Sequence, residues 1–144
     1  MVGINHVALE VGNLDEALEF YGQFLEIRFR NRFSRMAFLD MGDQFIAVAQ
    51  HDNPNSDEER HFGLVVDDMA LVRRRLKELG ADILDTSGLE FRDPWGNRIQ
   101  IVEYGDIQFS KTDAVLRGLA MDDLTKTDAA RQELADKGMG EDAD

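Results

Sequence analysis

Imidazole can hold a divalent metal ion, move a proton near neutral pH or orient a ligand by hydrogen bonding, so the three histidines come first. His6 opens the run HVALEV and His61 opens HFGLVV, while His51 falls in the polar stretch HDNPNSDEER and belongs to the surface. His6 and His61 stand at matching places in a chain that is written twice. The segment INHVALEVGNLDEALEFYGQFLEI (4–27) aligns with RHFGLVVDDMALVRRRLKELGADI (60–83). A lone strand histidine is more often structural than a ligand. Two at equivalent positions of a repeat point to one shared task, either coordinating an ion or anchoring a small molecule. The chain has no cysteine, which removes disulfides, thiolate nucleophiles and sulfur-ligated metal centres together.

Each histidine needs a strand to aim it. After His6, Val7, Leu9 and Val11 share one face, and after His61, Phe62, Leu64 and Val66 do the same. Each strand breaks at a helix start signal, Asn13 or Asp15 in the first copy and Asp67 or Asp68 in the second. The helices that follow carry apolar stripes, Leu14, Ala17, Leu18, Tyr21 and Leu25 in one and Met69, Val72, Leu76 and Leu79 in the other. Three more strands complete each copy: about 27–33, 35–41 and 44–50, with a turn at Met41-Gly42-Asp43, then ADIL, LEFRD and NRIQIVEY, with Pro94-Trp95-Gly96-Asn97 turning between the last two. The unit is βαβββ, twice. The expected fold is α+β, with the paired modules forming a curled mixed sheet around a cleft and a short helical C-terminal tail.

In this reading residues 1–104 make the domain: module one 3–50, a polar linker 51–59, and module two 60–104. Residues 105–144 are the tail. SKTDAVLRGL (110–119) and TKTDAARQEL (125–134) each open with a Ser/Thr-x-x-Asp capping signature and predict two short helices, and GMGEDAD is expected to fray. Val115, Leu116 and Leu119 form a small stripe that must dock on the body or on a second subunit. Trp95 is expected as a corner plug, and Arg73-Arg74-Arg75 as the wet side of the second helix.

The formal charge is −13, with 29 acidic against 16 basic residues, which repels a phosphate backbone and leaves no nucleic-acid footprint. No run of about 18 apolar residues exists, and the alternating start MVGINHVALEV lacks the plan of an export signal. The expectation is a cytoplasmic protein without membrane contact whose partner is a small organic molecule.

The paired βαβββ modules, a histidine early in each first strand and the ending DPWGNRIQIVE resemble the vicinal oxygen chelate superfamily, which includes glyoxalase I, extradiol dioxygenases, fosfomycin-resistance thiol transferases and bleomycin-binding proteins. The resemblance covers about residues 3 to 104 and omits the tail. It implies a homodimer, and a cleft where four strand positions aim at one divalent ion (Zn, Ni, Mn or Fe). Carried over residue by residue, those positions are His6, Ala47, His61 and Gln100.

Strand parity places the same residues without the family. If Ile99 and Ile101 cover a helix, Arg98, Gln100 and Val102 face the cleft; if Ile46 and Val48 do, Phe45, Ala47 and Ala49 face it. Glu103 falls on the wrong face, and Glu10 stands roughly 13 Å along the strand from His6. An ion held by His6, His61 and Gln100 meets two imidazoles, one amide oxygen and water, a set without negative charge. The two-histidine, one-carboxylate iron triad is incomplete, and no glutamate at 47 or 100 supplies the base that the resemblance assigns to glyoxalase I, so both activities are disfavoured. Two readings stay open. One is a metal-assisted lyase, isomerase or transferase with His6, His61 and Gln100 as ligands. The other is a metal-free, antibiotic-sequestering protein whose pocket is walled by Phe45 and Ala47, with Arg98 either offering its fork to an anion or remaining a solvated strand-end charge.

Overall fold

The structure is a computed structural model that describes residues 6–42, 44–57 and 61–140. The expected beginning of module one at 3–5, Asp43 of the first turn, the linker end and module-two start at 58–60, and the last residues 141–144 lie outside the described residues. The element order is β1 (His6–Val11), α1 (Leu14–Gly22), β2 (Phe29–Arg32), β3 (Met36–Asp40) and β4 (Phe45–Gln50), then β5 (Phe62–Val66), α2 (Met69–Leu79), β6 (Asp82–Ile83), β7 (Leu89–Arg92) and β8 (Arg98–Glu103). Each βαβββ copy folds into its own four-stranded mixed sheet, β1-β4-β3-β2 and β5-β8-β7-β6, in which the first strand runs parallel to the last. The helix crossover permits this, because a strand can lie parallel to a later one only after a long connection has carried the chain back.

Asn13 caps α1 by accepting from the Glu16 amide, and Asp68 caps α2 by accepting from the Leu71 amide. Each settles one of the two alternatives at its helix start. Glu103, whose parity excluded it from the cleft, has a different partner: its carboxylate accepts from the Met69 amide in the first turn of α2.

The helix-facing side chains of both sheets meet in one core. Leu9, Val11 and Val48 of the first sheet cluster with Leu89, Phe91 and Ile99 of the second around α1 and α2. Phe24, just beyond α1, meets Phe91 edge to face at 5.4 Å, so the helical segment of module one seals the sheet of module two.

The DPWGN turn fastens the two copies together. Asp93 accepts from the Trp95 and Asn97 amides, from Asn97 Nδ2 and from the Tyr21 hydroxyl of α1, and Asn97 Nδ2 also donates to the Glu10 carbonyl of β1. Trp95 is the corner plug: its indole lies where a side chain at Gly12 would stand, 2.5 Å from an added Cβ. Gly96 has φ +87° and lies against Ser56, so both conformation and space exclude a larger residue there.

The tail helices are shorter than expected, α3 (Asp113–Gly118) and α4 (Asp128–Ala135). Their caps are Thr112 and Thr127, which accept from the Val115 and Ala130 amides, two residues later than the Ser/Thr-x-x-Asp signatures suggest. The aspartates at 113 and 128 therefore sit in the first turn, where they favour the positive end of the helix dipole. The α3 stripe docks on the body: Leu116 is buried, and Val115 and Leu119 pack beside Gly42.

Candidate functional site

Alternation along the strands gives each sheet an outer face opposite the core. On the first, His6 is in register with Phe45, and Ala8 with Ala47. The His6 ring stacks on Phe45 at 4.6 Å and 10°, and Phe45 continues into Phe38 at 5.1 Å and Phe33 at 5.9 Å. Arg30 lies over the Phe45 ring at 4.8 Å while bonding Asp40. This face is an aromatic shelf ending in an imidazole, with alanines as its low ground.

On the second sheet Gly63 is in register with Gln100, and Gln100 with Glu90. The Gln100 amide is turned toward two glycines: a Cβ placed at Gly63 would be 4.0 Å from its oxygen, and one at Gly88 3.8 Å from its nitrogen. Glu90 has no counterpart among the site residues expected from sequence. It is 8% exposed and receives Arg98 through Nε at 2.8 Å and the terminal nitrogen at 2.7 Å. A carboxylate therefore does stand beside position 100, one strand over, and the Arg98 fork is engaged by it. The signal was present in sequence, since the parity that turns Leu89 and Phe91 inward turns Glu90 outward.

A cavity of about 630 Å³ brings part of the expected set together. His6, Phe45, His61 and Val65 line it; Ala47, Gln100 and Arg98 do not. Consecutive residues Phe62 to Val66 all contribute, so the cavity follows the edge of β5 that is not bonded to β8, whereas Gln100 and Arg98 lie one strand behind. Part of the wall comes from the tail, including Phe109, Leu119, Met121 and Leu124, which strand parity in the modules could not foretell.

Of the expected donors, His6 and His61 line the cavity and Gln100 does not. Among the described residues no three of His, Cys, Asp and Glu gather closely enough to hold an ion. Glu90, the carboxylate closest in register to Gln100, is already neutralised by Arg98. What His6 and His61 can do as placed is donate and accept hydrogen bonds at the wall of a largely apolar cavity. No helix among the described residues is long and apolar enough to cross a membrane.

Known proteins share this architecture. FosX from Listeria monocytogenes, in a crystal structure complexed with Mn(II) and sulfate, superposes with a TM-score of 0.62 at 15% identity, covering 83% of this chain and 98% of that one. A glyoxalase/bleomycin resistance protein/dioxygenase from Alicyclobacillus acidocaldarius gives 0.55 at 21% identity, covering 73% and 93%. In sequence, the metallothiol transferase FosB of Bacillus licheniformis is 20% identical over 115 residues, 70% of this chain and 75% of that protein. The family model described as Glyoxalase/Bleomycin resistance protein/Dioxygenase superfamily matches residues 3–101, which takes in both modules and stops short of the tail. Two βαβββ copies joined by a D-P-W-G-N clasp, with a histidine opening the first strand of module one and another just ahead of module two's, thus belong to the glyoxalase/bleomycin resistance/dioxygenase, or vicinal oxygen chelate, superfamily.

Proposed function

We propose that this protein binds a small organic molecule in the cavity between its modules and acts by holding it, without a metal ion. The observation that carries this reading is the cavity itself: about 630 Å³, a size suited to a small ligand, with two imidazoles on a mostly apolar wall and, among the described residues, no three of His, Cys, Asp and Glu gathered closely enough to hold an ion. His6 and His61 anchor polar atoms of the ligand, and the Phe45 shelf offers a flat contact. The protein works in the cytoplasm, in keeping with its lack of cysteine, and as a homodimer. Exposed Phe29, Phe33 and Met36 on the β2–β3 hairpin leave apolar surface for a second copy, which sedimentation velocity reads directly.

A second reading is a metal-assisted lyase, isomerase or transferase with His6, His61 and Gln100 as ligands. It is favoured by two matched histidines lining one cavity and by the Mn(II) complex of the FosX relative. Metal content of protein purified without an affinity tag separates the two. The expected result is no Zn, Ni, Mn or Fe retained through gel filtration after loading, and no gain of Mn(II) affinity in Gln100→Glu. Stoichiometric metal that disappears in His6→Ala, or a gain of about ten-fold (roughly 1.4 kcal/mol) in Gln100→Glu, would establish the metal-assisted reading instead.

A further inference from the structure

The tail lies beyond the family match, yet it supplies Phe109, Met121 and Leu124 to the cavity wall. The segment that carries them is tied down at both ends. At its base the Lys126 ammonium donates to the carbonyls of Tyr104, Ile107 and Phe109 and sits 3.4 Å from the centre of the Tyr104 ring. Beside it the Thr127 amide and hydroxyl both donate to the Gly105 carbonyl. At the far end Val115 and Leu119 pack beside Gly42 of module one, and Arg28 donates to the Gly118 carbonyl at 3.4 Å. The chain thus leaves module two at Tyr104, touches module one through α3 and returns to its starting point.

Two of the three carbonyls on Lys126 belong to residues of the cavity wall, Tyr104 and Phe109. Charge-assisted bonds are directional and roughly twice as strong as neutral ones, so one side chain fixes the backbone from which Phe109 projects. Met121 and Leu124 are half-buried and stand outside the hydrophobic core, which leaves their remaining surface for a ligand. An apolar chain gains about four-fold in affinity for each methylene it buries, and the gain stops where the chain meets a wall that does not yield.

We propose that the tail is the wall that sets ligand length: Phe109, Met121 and Leu124 limit the apolar body that the cavity accepts, and Lys126 is the positioning residue that holds this wall in place. The inference rests on the cavity being the functional site, and it concerns the body of the ligand, whatever polar group His6 and His61 receive.

The neutral dye N-phenyl-1-naphthylamine, read by fluorescence, reports occupancy, and straight-chain 1-alkanols from hexanol to dodecanol compete with it. For the unaltered protein, affinity is expected to rise about four-fold per methylene and then to level off at one chain length. Met121→Ala and Leu124→Ala should each move that limit to longer chains, and Met121→Trp should move it to shorter ones. Loss of stability alone does not produce opposite shifts at one position. Lys126→Ala should blur the limit, and added propylammonium, which replaces the deleted atoms, should restore it where propanol does not. Circular dichroism verifies folding; if Lys126→Ala does not fold, Lys126→Arg, whose planar fork does not match three converging carbonyls, takes its place and should blur the limit likewise. A limit at the same chain length in every folded variant, affinity that climbs without a limit in the unaltered protein, or alkanols that fail to displace saturably bound dye would overturn the proposal and leave the cavity as the site. Dye binding unchanged in the cavity-filling Val65→Trp, or neither dye nor alkanol bound at all, would sink both.

Discussion

Asp93→Ala is expected to lower the free energy of unfolding by about 3 kcal/mol or more, because it strips the acceptor from four donors in a buried turn. Asp93 is 4% exposed, so water cannot replace what is lost. The change also frees α1 from module two by unbinding the Tyr21 hydroxyl, which makes its effect larger than that of a turn residue serving only its own hairpin. Urea titration monitored by Trp95 fluorescence reads the difference, and a loss below about 1 kcal/mol would mean the turn is not the clasp described here.

The same residue carries a pH signature. Burial raises the Asp93 carboxyl above its ordinary value of 3.8, against hydrogen bonds from Asn97, Tyr21 and the Trp95 amide that pull it down. The folded protein therefore holds this proton more tightly than the unfolded chain. Asp93 contributes most below its ordinary value, and that contribution declines as pH rises through the window up to the raised folded value, then levels off. The stability gap between wild type and Asp93→Ala should accordingly be widest in acid and narrower at neutral pH. A gap that widens as pH rises would show that the hydrogen bonds outweigh the burial.

Phe91→Ala is expected to cost about 3–5 kcal/mol, the range for deleting a fully buried aromatic ring whose cavity cannot collapse. Phe91 is 0% exposed and meets Phe24 at 5.4 Å and Phe20 at 6.2 Å, so the void would open between module one's helix and module two's sheet. Because both modules share this core, unfolding should remain a single transition displaced to lower urea. Two resolved transitions in the variant would mean that the modules hold themselves together separately. Phe91→Leu, which keeps most of the volume, should cost no more than about 1.5 kcal/mol.

The sequence by itself determined everything that depends on local periodicity. The duplicated order, the inward faces of β1, β4, β5 and β8, the outward faces bearing His6, Ala47 and Gln100, the exclusion of Glu103 and the plug at Trp95 all follow from a two-residue alternation and from turn chemistry, which neighbouring residues express without help. The exact capping threonines of the tail escaped it, because adjacent Ser and Thr residues offer equivalent hydroxyls and docking selects among them.

Only the tertiary structure decided which of those outward residues share a space. Alternation says which face a side chain takes, but gives no distance between strands that are far apart in sequence. So His6, Phe45 and His61 line the cavity while Ala47, Gln100 and Arg98 lie outside it, and Arg98 is engaged by Glu90 from the neighbouring strand. The tail wall belongs to the same class of fact. Leu116 and Leu119 were visible as part of a stripe needing a surface, whereas Phe109, Met121 and Leu124 were not, and the three carbonyls that receive Lys126 converge only after the chain has turned at Tyr104 and come back.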